Sequence, residues 1–142
     1  MPASKQSRYL TEALARLDSL TDWERRPRGS MRIGLEPMKD LMQRMGNPHE
    51  SFHSIHVTGT KGKGSVCALI AAGLLRAGWR VGCYSSPHVE CVTERVSILG
   101  HPTDEDELAR ALMRALDEYD AARRFRTPGY DATWFDMLTA AA

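Results

Sequence analysis

The run from Phe52 to Ser65, F-H-S-I-H-V-T-G-T-K-G-K-G-S, constrains this chain more than any other stretch. Its first half alternates, Ile55 and Val57 against Ser54 and His56, which is the period of a short strand. Three glycines follow, Gly59, Gly62 and Gly64, interleaved with Thr60, Lys61, Lys63 and Ser65. Beyond them Val66 to Ala77 is apolar and rich in Ala and Leu, which predicts a mostly buried helix. Strand, glycine loop and helix in that order form a place for an anion. Glycines let backbone N–H groups turn inward, and the helix N-terminus adds its partial positive charge. Lys63 then supplies a point charge for the β- and γ-phosphates of a nucleotide, and the Ser65 hydroxyl a ligand for Mg²⁺.

The commonest phosphate-loop pattern, G-x-x-x-x-G-K-[ST], would need a glycine at Val57 and a hydroxyl residue at Gly64. This chain instead carries G-T-K-G-K-G-S, with an extra glycine between lysine and serine. That variant resembles the phosphate loop of the Mur ligase superfamily. As I-H-V-T-G-T-K-G-K-G-S it is similar to the folylpolyglutamate synthase and dihydrofolate synthase branch. The competing reading, a glycine-rich turn that binds nothing, leaves two lysines and a serine with no packing purpose.

Composition narrows the class further. A chain of 142 residues with 42% hydrophobic and 26% charged residues has the make-up of one globular domain. Net charge is +1 with the positive residues dispersed, which favours neither nucleic acid nor an anionic membrane as partner. The small cluster Arg123, Arg124 and Arg126 reads as the solvated end of a helix. Cys67, Cys83 and Cys91 are an odd number without metal spacing, and Cys67 and Cys83 sit in apolar segments, so reduced, buried thiols and a cytoplasmic location are expected. The five histidines show no paired ligand spacing, and no apolar run approaches a membrane span.

Taken in order, Tyr9, Leu10, Ala13, Leu14 and Leu17 share a helical face, and Thr21 to Met31 reads as a polar loop with Trp23 as a local anchor. Leu35, Met38, Leu41, Met42 and Met45 mark a second helix, stopped by Gly46-Asn47-Pro48. Trp79 to Tyr84 predicts another strand, and strand–helix–strand in succession predicts a parallel sheet with a right-handed crossover. Ligands in such sheets sit at the carboxyl ends of the strands, where Ser85-Ser86-Pro87-His88 also falls. Val96 to Leu99 reads as a strand and Gly100-His101-Pro102 as a turn. Thr103 is placed to cap a helix whose first turn holds Asp104, Glu105 and Asp106, and whose apolar face runs from Leu108 to Tyr119. Pro128-Gly129 turns the chain, and an apolar helix begins at Thr133.

The resemblance extends through these segments. S-S-P-H-V followed by T-E-R-V-S-I-L-G is similar to the family's S-P-H-L and E-R-I-x-I-x-G segments, which implies substrate contact by Ser86, Pro87 and His88. Asp136 stands where the family carries a glutamate that binds Mg²⁺, which implies a metal pair of Ser65 and Asp136. The implied fold is α/β, a P-loop-type parallel sheet flanked by helices. Residues 1–142 would be the incomplete N-terminal part of a Mur-ligase-like ATP-binding domain, without the C-terminal glutamate-ligase domain. The implied activity is ATP-dependent addition of L-glutamate to dihydropteroate or folylpolyglutamate through an acyl phosphate. Lys63 would be the catalytic cation, and Gly59, Thr60, Lys61, Gly62, Gly64 and Ser65 would complete the nucleotide loop. Such an enzyme is expected to be monomeric at full length, and this piece inactive alone. Two alternatives stay open: a Mur-type ligase of cell-wall precursors, and a nucleotide-binding module without catalysis. Gly64 before Ser65, where cell-wall enzymes carry two threonines, speaks against the first.

Overall fold

Leucine and alanine at helical spacing decide most of what forms. In the computed structural model, which describes residues 7–22 and 34–142, five helices and three short strands are present among the described residues. They are α1 (Arg8–Leu17), α2 (Glu36–Arg44), α3 (Lys63–Arg76), β1 (Gly82–Tyr84), β2 (Val96–Ile98), β3 (His101–Pro102), α4 (Glu105–Phe125) and α5 (Trp134–Ala141). The chain divides into two units, Met1–Phe52 with Glu105–Ala142, and His53–Asp104. Trp23 and most of the polar loop around it lie outside the described residues.

The first unit is helical. Leu10, Ala13 and Leu17 of α1, Leu41 and Met42 of α2, Leu108, Leu112 and Leu116 of α4, and Met137 and Leu138 of α5 are buried. Tyr9 departs from the face assigned to it and is exposed. α2 ends because Gly46 (φ 85°) and Asn47 (φ 53°) turn left-handed. Their N–H groups then donate back to the Gln43 and Met42 carbonyls, after which Pro48 cannot continue the helix. α4 begins at Glu105, with Glu105, Asp106 and Glu107 at its positive end and Arg123 and Arg124 at its negative end. Arg16 reaches from α1 to Asp117 and Asp120 of α4 at 3.2 and 2.8 Å. These pairs are partly solvated and contribute little beside the apolar core.

One carboxylate ties α2 to the turn before α5. Asp40 Oδ2 accepts from the Thr127 hydroxyl (2.6 Å), the Gly129 N–H (2.8 Å) and Arg44 Nε–H (3.1 Å). Burial pushes the Asp40 carboxyl up, but the Thr127, Gly129 and Arg44 donors together outweigh it and leave the pKa below the ordinary value. Glycine is required at position 129, since a Cβ there would lie 2.6 Å from Asp40 Oδ2 and 3.0 Å from the Ala122 Cβ.

The second unit corrects the expected sheet. Residues 53–59 form no strand, and Ile55 is 63% exposed. β1 pairs instead with β2, antiparallel, with Gly82 opposite Ile98 and Tyr84 opposite Val96. β3 adds to β2, also antiparallel, across a turn made by Leu99 (φ 52°) and Gly100 (φ 84°). The segment read as the turn Gly100-His101-Pro102 therefore contains β3. The physical reason lies in what each pairing needs. An antiparallel partner close in sequence needs only a short connection, whereas a parallel sheet is stable only with both faces covered. α3 forms where the apolar run predicts it, yet none of its residues is buried, so that covering is missing from the described unit. Cys67 and Cys83 are likewise half-buried rather than buried. Burial first, and then the neighbouring Cys67, push the Cys83 thiol up, and all three cysteines are free.

Candidate nucleotide-binding site

The glycine loop has the backbone that its sequence calls for. Gly59 (φ 147°) and Gly62 (φ 76°) occupy conformations that side-chain-bearing residues rarely adopt. At Gly62 the backbone angle alone demands glycine, because an added Cβ would meet no atom within 4 Å. Gly62 is the N-cap of α3, and the helical ladder opens with Val66 N–H donating to the Gly62 carbonyl at 3.0 Å. The N–H groups of Lys63, Gly64 and Ser65 thus stand ahead of the ladder at the positive end of the helix dipole. Lys63 Nζ donates to the Gly59 carbonyl at 2.7 Å and holds the two ends of the loop together. Thr60 through Ser65 are all exposed. Main-chain amides, an ammonium and a hydroxyl are the donor set that a polyphosphate and its Mg²⁺ would require.

The same unit holds Ser86, Pro87 and His88 in a turn whose Ser86–Pro87 peptide is cis. The turn is framed from the T-E-R segment. Ser85 N–H donates to the Arg95 carbonyl at 2.8 Å, and the Arg95 side chain donates Nε–H to His88 Nδ1 at 2.8 Å. Downstream, the Glu94 carboxylate accepts from the N–H groups of Val89 (2.8 Å), Glu90 (3.1 Å) and Cys91 (3.0 Å). The amides of Val89 and Cys91, with smaller help from Glu90 and the Cys91 thiol, hold Glu94 down at about 2.

Asp136 belongs to the other unit, where it has a structural task. Its Oδ2 accepts from both the N–H and the hydroxyl of Thr133 at 2.8 Å, and Thr133 Oγ1 accepts the Asp136 N–H at 3.3 Å. This reciprocal box starts α5.

Two sequence relatives and one solved structure decide the family. The chain is 34% identical over 118 residues to the dihydrofolate synthase/folylpolyglutamate synthase of Bacillus subtilis, covering 80% of this chain and 27% of that protein. It is 39% identical over 125 residues to the mitochondrial folylpolyglutamate synthase of Bos taurus, covering 83% of this chain and 21% of that one. The folylpolyglutamate synthase of Mycobacterium tuberculosis, solved in complex with ADP and AMPPCP, matches with a TM-score of 0.77 at 26% identity, over 94% of this chain and 28% of its own. The chain belongs to the folylpolyglutamate/dihydrofolate synthase family. No family model matches it. It spans about a quarter of the length of these synthase relatives. Among the described residues no helix is long and apolar enough to cross a membrane.

Within this synthase-family chain, sequence reasoning passed over Glu94 and Arg95, which shape the turn that carries His88. One signal was legible: Cys91-Val92-Thr93-Glu94 has the spacing of a capping box, and Glu94 fills its acidic position.

Proposed function

We propose that this chain is the ATP-binding portion of an ATP-dependent amide ligase that adds L-glutamate to dihydropteroate, to folylpolyglutamate, or to both. One observation carries the reading: the loop Gly59–Ser65, whose left-handed glycines set Lys63, Gly64 and Ser65 ahead of the α3 ladder. The synthase names of the relatives, and the ADP and AMPPCP in the solved neighbour, support taking that loop as a nucleotide site.

When bound, ATP supplies the γ-phosphoryl group that turns the substrate carboxylate into an acyl phosphate, which the glutamate amine then opens to the amide. The chain's own part is binding and charge neutralisation. The N–H groups of Lys63, Gly64 and Ser65 hold phosphate oxygens, with Thr60 and Lys61 at the rim of the loop. The Lys63 ammonium exchanges the Gly59 carbonyl for a phosphate oxygen and neutralises charge as it develops. The Ser65 hydroxyl is a ligand for Mg²⁺. Asp136 is proposed separately as a Mg²⁺ carboxylate through Oδ1, the oxygen that Thr133 does not engage. Ser86, Pro87 and His88 border the pteroate. In the full-length ligase, residues 54–57 are proposed to enter a parallel sheet that covers α3.

The test is a calorimetric titration of the chain with ATP, with and without Mg²⁺. Binding is expected to tighten with Mg²⁺, and Ser65→Ala and Asp136→Asn are each expected to reduce that dependence more than the affinity for ATP alone. Equal affinities with and without the metal would contradict the metal assignments, and absence of any binding would contradict the reading itself.

A further inference from the structure

Arg95 is 1% exposed, the largest fully buried side chain among the described residues, in a unit with few other buried groups. A guanidinium keeps its charge at every accessible pH, and taking it out of water is costly unless its donors are used. Its Nε–H meets His88 Nδ1 at 2.8 Å, while its own carbonyl receives the Ser85 N–H at 2.8 Å. One residue therefore grips both ends of the Ser85–His88 turn, by main chain at one end and side chain at the other. Arginine has donors and no acceptor, so the histidine nitrogen facing it must be the acceptor. That choice settles the other nitrogen, because a neutral imidazole carries its one proton on Nε2 once Nδ1 is bare.

We propose that Arg95 is a positioning residue that fixes His88 as the Nε2–H tautomer, so that the turn offers a hydrogen-bond donor to an acceptor atom of the substrate. This rests on the reading of Ser86–His88 as a substrate-contacting turn, and it adds the polarity of the contact. Glu94 has a complementary part. By collecting the N–H groups of Val89, Glu90 and Cys91 it fixes the main chain that leaves His88, while Arg95 engages the ring itself.

The experiment is nitrogen NMR of the imidazole side chains in the ¹⁵N-labelled 142-residue chain, with the His88 signals assigned by their loss in His88→Gln. Wild type is expected to show an acceptor-type Nδ1 and a protonated Nε2 at His88. Arg95→Gln, whose amide can still donate, should keep that pattern. Arg95→Met should lower the ratio of Nε2–H to Nδ1–H by about tenfold, the factor expected from losing one charge-assisted hydrogen bond. A protonated Nδ1 in wild type overturns the proposal, whether or not the variants fold, and so does an unchanged ratio in a folded Arg95→Met chain. Dihydropteroate binding by His88→Gln reports on the substrate reading alone. Unchanged affinity there, with the tautomer shifting as expected, would remove the substrate role and leave the positioning by Arg95 intact.

Discussion

In the unit formed by Met1–Phe52 and Glu105–Ala142, residues Leu10, Leu17, Leu41, Leu112, Met137 and Leu138 are fully shielded from water. In the His53–Asp104 unit only Val92, Thr93, Arg95 and Val96 are buried, while Leu69 of α3 is 74% exposed. The first unit is therefore specified by apolar burial. The second is specified largely by polar tethers: Lys63 on the Gly59 carbonyl, Glu94 on three amides, and Arg95 on His88 and Ser85. The residues proposed to meet nucleotide and pteroate lie in the second unit. A tether such as the Lys63 ammonium on a carbonyl can be exchanged for a phosphate oxygen, whereas a packed leucine has no such second partner.

Substitutions at matched leucines give the largest and the smallest expected effects of this contrast. Leu112→Ala removes a side chain with 0% exposure from α4 and should lower stability by about 2–5 kcal/mol, read by denaturant unfolding. A loss below about 1 kcal/mol would show that the helical unit is not closed around that residue. Between these extremes lies an acid effect on the Glu94 tether. Its folded pKa is depressed from the ordinary 4.5 of a free glutamate to about 2, so its stabilising contribution is complete above the higher value. The contribution is lost as pH falls through that window. Hydrogen exchange at the Val89, Glu90 and Cys91 amides, corrected for intrinsic rates, should lose protection on acidification from pH 5 towards pH 2, and Glu94→Gln should largely abolish the change. Protection that stays independent of pH across that range would break the tether account. At the lower end, Leu69→Ala on exposed α3 should alter stability by no more than about 0.5 kcal/mol, and a cost like that of Leu112→Ala would erase the distinction between the units.

The same contrast explains what could be read from the sequence. The helices were legible because Leu, Ala and Met recur at helical spacing, with stops such as Gly46-Asn47-Pro48 and starts such as Thr133 with Asp136. The glycine loop was legible because Gly59 and Gly62 announce backbone angles that other residues avoid. The sheet was not, since alternation at Ile55 and Val57 says a strand is possible without saying what pairs with it. α3 was identified as a helix, but its apolar composition gave no sign of its exposure, which depends on neighbours rather than on its own residues. The framing of His88 was hidden for a related reason. Nothing local in E-R tells that arginine will meet a histidine seven positions earlier, because that hydrogen bond exists only once β1 and β2 are paired. Asp136 shows the converse: the family resemblance implies a metal ligand, and the T-W-F-D spacing equally supports the helix cap seen here.

The proposed function depends most on the Gly59–Ser65 loop taking a nucleotide's phosphates with Lys63 as their counter-charge. The direct measurement is the affinity of Mg-ATP for wild type and for Lys63→Ala, alongside circular dichroism to confirm that α3 and the helical unit persist. Saturable binding by wild type, weakened at least about tenfold in a folded Lys63→Ala chain, is the predicted result. Equal affinity in the two chains would contradict it.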